Sequence, residues 1–304
     1  MISIAVLDDQ KEVKQHGTGE FPVAVYHYVM SECVLGYINW HWHDEIQLCV
    51  VTRGRMNFQV SGAQYLLEEG EGFFVNSGRL HMAKPDGEED SAYLCLDFHP
   101  RILGAFPGSA AESKYVVPYI GAGGPEHGSL KKEIPWQHEL LEEIRAIGRL
   151  YDERAFGYEM AVQARISLLW LTLLRNTKGA AGAGSGQEET GELVRRVMAY
   201  LRAHFAEAVS LDDISREVMY SGSECCRQFK RTTGETIFHY LKAYRLARAT
   251  ELLEETDWPV SRIALETGFC SSSYFIEAFR AELKTTPLRY RKREDPSSLK
   301  VSYK

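Results

Sequence analysis

The chain has 304 residues, 44% hydrophobic and 25% charged, ordinary values for a soluble globular protein with room for two or three domains. No apolar run approaches the ~18 residues a membrane span needs, and the opening MISIAVLDDQKEVKQHG has too short an apolar stretch for a signal peptide, so a cytoplasmic protein is expected. The net charge of −7 excludes wholesale nucleic-acid binding by charge, yet it is unevenly placed: residues 1–187 carry 16 Lys+Arg against 24 Asp+Glu (−8), and residues 188–304 carry 19 against 18 (+1).

Over residues 20–100, short apolar runs (Val23–Tyr28, Ile46–Thr52, Met56–Val60, Tyr65–Leu67, Gly72–Val75, Ala92–Phe98) are separated by glycine-containing turn signals. Closely spaced short strands of this kind predict an antiparallel barrel or sandwich. The six cysteines form no CxxC pair, so they are expected as reduced, mostly buried thiols. Among the strands stands His41-Trp42-His43-Asp44-Glu45, followed by Gly54, by Gly70 to Gly78, and by His81. Two histidines one residue apart on a strand share a face, and His81 can reach them from a neighbouring strand, which is the geometry of a metal site.

These stretches resemble the two motifs of a cupin barrel. In that family a carboxylate ligand falls near position 47, where this chain has Gln47; Glu45 could share the face of His43, but its spacing departs from the motif. The missing carboxylate argues against chemistry on a bound metal. The histidines are therefore expected to contact a ligand or serve the structure, with no metal and no cofactor.

Residues 136–176 read as two helices. The second, Tyr158 to Leu174, carries an apolar stripe (Ile166, Leu168, Leu169, Trp170, Leu171, Leu173, Leu174) wider than one packing face needs, so the helix pair is expected to pack on the N-terminal domain and on a second subunit, with an intradomain core helix as the alternative. Thr177 to Gly191, TKGAAGAGSGQEETG, reads as a flexible linker.

Beyond it the sequence repeats. Ile214-Ser215 aligns with Ile263-Ala264 and Met219-Tyr220 with Gly268-Phe269 at an offset of 49. Phe229-Lys230 aligns with Phe279-Arg280, Thr236 with Thr286, and Tyr240 with Tyr290 at an offset of 50. The spacing predicts a helix-turn-helix used twice. Ser210, with Asp212 and Asp213, starts a support helix over 211–218; Ser221 caps the next, with Cys225 and Phe229 inward. In the second unit Gly268 fits the turn, Ser271 caps, and Phe275 and Phe279 bury. A long amphipathic helix from Tyr240 to Leu253 (Leu241, Tyr244, Ala247, Leu252) would fix the separation of two reading helices, which could enter successive major grooves.

This region, about residues 192–293, resembles the DNA-binding domain of the AraC family, through Ile263-Ala264, Gly268-Phe269, Ser273-Tyr274-Phe275, Phe279-Arg280, Thr286-Pro287 and Tyr290-Arg291, and in the first unit through Ser221, Phe229-Lys230, Thr233-Gly234 and Tyr240-Leu241. It departs from the family at Lys284, where glycine is usual, and at Cys225, where leucine is commoner. The residues expected to face DNA are Ser223, Cys226, Arg227, Lys230 and Arg231 in the first unit and Ser272, Ser273, Glu277 and Arg280 in the second. Arg227 suits guanine O6 and N7, Glu277 can accept from cytosine N4, and Lys230, Arg231 and Arg280 suit phosphates. Arg245 is expected to pair within the domain.

The stretch His16-Gly17, Phe21-Pro22, Tyr26 and His41-Trp42-His43 also resembles the effector-binding domain that AraC-type regulators carry. That resemblance implies a small-molecule effector, often a sugar, and places it near Tyr26, His41, His43, Gln47 and His81; Trp40, Trp42 and Phe58 would suit a carbohydrate by stacking, or belong to the core. The expected architecture is α+β and multidomain: a cupin-like antiparallel β-barrel for effector binding (1–112), a helical dimerisation segment (113–176), a flexible linker (177–191), an all-α tandem helix-turn-helix domain (192–293) and a tail (294–304). The expected function is a ligand-responsive, homodimeric regulator of transcription acting on double-stranded DNA, not a membrane protein. The competing readings are a metal-dependent cupin enzyme with a helical appendage, and a regulator whose sensor answers a protein partner.

Overall fold

The structure, a computed structural model, describes residues 4–7, 9–87, 89–120, 124–177 and 184–293, without the side chains of 184–190 and 293. The chain divides into two compact units, Met1–Arg195 and Arg196–Lys304.

Among the described residues the first unit holds nine strands: β1 (Val23–Val29), β2 (Ile38–His41), β3 (Ile46–Arg53), β4 (Arg55–Val60), β5 (Ala63–Glu68), β6 (Gly72–Val75), β7 (His81–Pro85), β8 (Ala92–Phe98) and β9 (His127–Leu130). They form two antiparallel sheets, ordered β1-β8-β3-β6-β9 and β2-β7-β4-β5. Strand β8 is buried at every residue, and β3 at all but its last two. The reason is that both faces of the larger sheet are covered. Cys49, Val51, Tyr93 and Cys95 turn toward Phe58 and Ala83 of the smaller sheet. Leu48, Val50, Leu94 and Leu96 turn toward α1 (Pro135–Glu153) and α2 (Tyr158–Thr177), meeting Leu141, Ile144, Ile166 and Leu173. A strand covered on both faces reads as a continuous apolar run.

Three strands were not legible as runs. INWH (β2), HMAKP (β7) and HGSL (β9) carry polar or small residues instead of apolar alternation. Strand β9 lies within 113–176, the segment expected to be helical, and extends the larger sheet beside β6. The two helices share one core with that sheet, in keeping with the expected packing on the N-terminal domain. Most of the α2 stripe is spent there: Ile166, Leu169, Trp170, Leu173 and Leu174 are buried, and Trp170 Nε1 donates to the Tyr115 carbonyl at 2.7 Å. Leu168 and Met160 remain 63% and 78% exposed, with Leu171 half-buried beside them. Of the linker expected over 177–191, residues 178–183 lie outside the described residues, and from Gly184 the backbone is already helical, as the start of α3 (Gly184–Ala203). The tail at 294–304 lies outside them too.

In the second unit the repeat becomes α4 (Leu211–Val218), α5 (Gly222–Thr233) and the start of α6 (Ile237–Glu255), then α7 (Val260–Glu266), α8 (Ser272–Leu283) and α9 (Pro287–Arg293). Helices α5 and α8 have the same length and lie 50 residues apart, as the alignment requires. Ser210 and Asp213 form a reciprocal capping box on α4, while Ser221 and Ser271 accept from Glu224 N–H and Tyr274 N–H at the starts of α5 and α8. Phe229, Phe275 and Phe279 are fully buried. The turns need left-handed backbone at equivalent places, and each unit supplies one glycine: Met219 (φ 60°) and Gly234 (φ 76°) in the first, Gly268 (φ 76°) and Lys284 (φ 54°) in the second. Helix α6 is less one-sided than expected. Leu241, Leu246, Ala249 and Leu253 are buried, while Tyr244, Ala247 and Leu252 are half-buried, because α6 packs against α5 on one side and α7 and α9 on others. Arg245 pairs internally as expected, donating to the carbonyls of Phe205 and Glu207, both at 2.7 Å.

Candidate DNA-reading helices and sensor site

Two buried positions four apart, Cys225 and Phe229, fix which face of α5 points inward. The opposite face carries Ser223, Arg227, Lys230 and Arg231, all exposed, with Cys226 half-buried. Arg227 points outward with its side chain 66% exposed, but it is not idle: its Nε and Nη2 donate to the Glu224 carboxylate at 3.0 and 2.7 Å. Gln228 donates to the same carboxylate at 2.6 Å, and these bonds, Gln228 first and Arg227 next, hold Glu224 below the usual carboxylate range. An exposed pair of this kind is weak, so Arg227 can exchange Glu224 for a guanine edge without a large loss.

On α8, Ser273, Glu277 and Arg280 are exposed and Ser272 is half-buried. Glu277 occupies the place in α8 that Arg227 occupies in α5, so the two outward faces differ in sign at equivalent positions. Sequence reasoning missed Tyr274 and Ile276, 47% and 39% exposed beside the buried Phe275. They flank an inward position of the helix, which is the signal that could have found them; apolar groups there suit thymine methyls. Lys284 adopts the left-handed conformation, and its Nζ donates to the Ala281 carbonyl at 2.8 Å, at the end of its own helix.

The second candidate site lies between the two sheets of the first unit. Register places Gln47 opposite Asp97 on one side and Val75 on the other, and pairs His41 with His81 across β2 and β7. His43 follows β2. The structure thus brings together His41, His43, Gln47 and His81, each at most 4% exposed. Gln47 Oε1 lies 3.2 Å from His43 Nε2 and 3.1 Å from His81 Nε2. Burial pushes all three histidines toward the neutral form, His43 down to about 3. Tyr26, the fifth expected residue, is half-buried, and its hydroxyl lies 3.1 Å from His16 Nδ1.

A charged group adjoins this neutral trio. Burial alone would lower the pKa of His16, but its 3.2 Å contact with Glu12 and the nearby Asp97 charge outweigh it and raise the pKa to about 9. Burial pushes Asp97 up to about 7, against the pull of His16. Glu12 and Asp97 were not singled out from the sequence. Asp97 could have been, as the one charge in the continuous apolar run of β8; Glu12 sits in a segment without periodicity. Trp40 and Phe58 are 1% and 0% exposed, and Phe58 stacks on Phe73 at 5.1 Å, so both belong to the packed interior rather than to a stacking platform.

Residues 34–170 match the family described as an AraC-like ligand binding domain, and residues 214–293 match a helix-turn-helix domain family. The HTH-type transcriptional regulator YdeC of Bacillus subtilis is 31% identical over 292 residues, 96% of this chain and 99% of that protein. The HTH-type transcriptional activator RhaS of Escherichia fergusonii is 28% identical over 257 residues, covering 84% and 88% of the two chains. A solved AraC-type transcriptional regulator from Chromobacterium violaceum aligns at 28% identity and a TM-score of 0.34, over 36% of this chain and 97% of that one.

A duplicated helix-turn-helix unit on the same chain as an antiparallel, ligand-binding type of β domain defines a ligand-responsive transcription regulator. The chain belongs to the AraC family of helix-turn-helix transcriptional regulators. Among the described residues no helix is long and apolar enough to cross a membrane.

Proposed function

We propose that this regulator reads its operator chiefly through α5. Arg227 supplies base readout at guanine, Ser223 and Cys226 lie beside it, and Lys230 and Arg231 hold phosphates. Helix α8 contributes Ser272, Ser273, Tyr274 and Ile276 at the groove, Glu277 toward cytosine, and Arg280 toward phosphate. The observation that carries this reading is the exposure of Arg227 on the outward face of a capped helix whose inward face is fixed by Cys225 and Phe229.

The sensor site is the cluster of His41, His43, Gln47 and His81 with Tyr26 at its margin, and its ligand is a small polar molecule, with carbohydrates the first class to screen. Occupancy shifts the population between DNA-competent and less competent arrangements, and DNA in turn shifts affinity for the effector by the same factor. Met160, Leu168 and Leu171 on the outer side of α2 form the homodimer contact. The protein works in the cytoplasm, where the DNA is, and does so without enzymatic turnover; the relatives it matches over 99% and 88% of their lengths carry the names of transcriptional regulators, which supports this reading.

Replacing Arg227 with alanine tests the central part. Operator affinity should fall by about 1–3 kcal/mol, with preference relaxed at one or two base pairs. Unchanged affinity and unchanged preference would show that α5 is docked some other way.

A further inference from the structure

Glu224 is not among the residues that the sequence places toward DNA, yet it organises the face that carries Arg227. It lies in the first turn of α5, where its N–H donates to the capping Ser221. Arg227 and Gln228 follow at i+3 and i+4, so the three side chains share one side of the helix. A carboxylate only accepts, so both neighbours must present N–H groups to it. Gln228 Nε2 donates to Glu224 Oε1 at 2.6 Å, which fixes the carboxylate from one flank. Arg227 approaches from the other with a single edge of its guanidinium: Nε donates to Oε2 at 3.0 Å, and Nη2 lies 2.7 Å from each carboxylate oxygen. Glu224 is the more sheltered of the two, so the carboxylate is the fixed partner and the arginine the one that it orients.

The choice of edge decides what Arg227 can still do. A guanidinium carries its N–H groups in a rigid planar fork. The edge formed by Nε and Nη2 faces Glu224, which leaves Nη1 and the second N–H of Nη2, an end-on pair that matches guanine O6 and N7. Arg227 therefore need not give up Glu224 to take guanine; it can hold both at once. We infer that Glu224 is a positioning residue for base readout: braced by Gln228, it holds the Arg227 fork end-on to the groove and makes guanine the favoured partner, a role that rests on the reading of Arg227 proposed above. Left unbraced, a guanidinium suits phosphate oxygens as well as a guanine edge, so binding would gain strength and lose choice. The carboxylate itself repels phosphate wherever the protein lands, and only at guanine does an arginine already oriented offset that repulsion. Glu224 thus lowers affinity for DNA in general and raises the preference for one base. Fifty residues on, Tyr274 stands for Glu224, Glu277 for Arg227 and Ala278 for Gln228, which confines the brace to the first reading helix.

Full-length wild-type protein, Glu224→Ala, Glu224→Gln, Gln228→Ala, Arg227→Ala and the Glu224→Ala/Arg227→Ala double variant should be titrated against three kinds of duplex. These are an operator fragment selected from genomic DNA, the same fragment with each guanine pair changed in turn to an adenine pair, and an unrelated sequence. Wild type should discriminate at the Arg227 guanine by about 5–150-fold. Glu224→Ala should cut that ratio by about threefold or more, the coupling expected of residues in contact, while binding to unrelated duplex tightens by about twofold or more. Glu224→Gln, which keeps one acceptor oxygen without the charge, should retain more of the ratio than alanine, and Gln228→Ala should lose part of it. With Arg227 already replaced, removing Glu224 should leave the ratio unchanged. If Glu224→Ala changes binding to every sequence alike and keeps the ratio, Glu224 serves only the start of α5, and the positioning role is refuted while the reading of Arg227 stands. If preference is lost at a neighbouring pair and kept at the Arg227 pair, Glu224 itself reads a base, and the positioning role is refuted too. If Arg227→Ala leaves every preference intact, the reading of Arg227 falls and the role of Glu224 falls with it.

Discussion

Gly268 offers the sharpest test of the duplicated architecture, because the structure gives the consequence of adding a single methyl group. Its φ of +76° lies in the left-handed region, which costs an L-residue roughly 1–2 kcal/mol. A Cβ there would stand 2.4 Å from the Phe205 carbonyl oxygen, 3.0 Å from Ala206 Cα and 3.0 Å from the Arg245 guanidinium carbon. The backbone oxygen cannot be met at that distance, so the Phe205 segment must shift. That shift breaks at least one of the bonds Arg245 makes to the Phe205 and Glu207 carbonyls, each worth about 1.5–3 kcal/mol for a charged donor. Alanine recovers ~0.4–1 kcal/mol by restricting the unfolded chain. Gly268→Ala should therefore cost the second unit about 3 kcal/mol. At Met219, the equivalent position of the first unit, the backbone is left-handed without glycine and the side chain is 85% exposed. Met219→Gly should stabilise by about 0.5–1 kcal/mol. Hydrogen exchange of peptides spanning α6 to α8, and of α4 to α5, in the full-length protein would measure both. A loss below about 1 kcal/mol at Gly268, or an equal loss at Met219, would refute the equivalence of the two turns.

Lys284→Gly should gain a similar 0.5–1 kcal/mol in the second unit, read by the same exchange measurement, because its left-handed backbone is paired with only one exposed Nζ bond. Leu168→Glu combined with Met160→Glu should raise the dimer dissociation constant tenfold or more, about 1.4 kcal/mol, in sedimentation velocity; an unchanged constant would move the contact off α2. His127 is held at a pKa of about 4 by burial first and by the Arg79 charge second, against 6.5 unfolded. The unfolded chain takes up this proton before the fold does, so the stability His127 contributes is complete above pH 6.5 and declines as pH falls toward 4. His127→Leu should remove up to about 2–3 kcal/mol of that decline, seen in urea melts across this range, and an identical pH slope in the variant would exclude His127 as its source.

The DNA-binding half was legible because its signals are local. Ser210, Ser221 and Ser271 cap their own helices, the left-handed turns fall at fixed offsets, and Phe229 and Phe279 mark inward faces four residues from their partners, so spacing alone positions them. What spacing does not carry is the partner of an exposed charge: nothing in a helix pattern shows that Glu224 engages Arg227, or that Lys284 folds back on Ala281. The sensor half was legible only where strands read as short apolar runs, as β3 and β8 do. Strands β2 and β7 hold the histidines and were hidden by those same polar residues, which bury because they face one another across two strands. Their convergence with Gln47, and with Glu12 and Asp97 through His16, depends on long-range register between β2, β3, β7 and β8. The wide stripe of α2 is legible as apolar from spacing, but spacing does not say how much of it its own domain takes: five of its seven residues seal the larger sheet.

Guanine methylation interference on an operator selected from genomic fragments tests the regulator assignment most directly. Wild-type protein should show two clusters of interfering guanines on one face of the duplex, about one helical turn apart, and Arg227→Ala should erase contacts in the cluster read by α5 alone. A single cluster, or a pattern indifferent to Arg227, would contradict the account of two unequal reading helices.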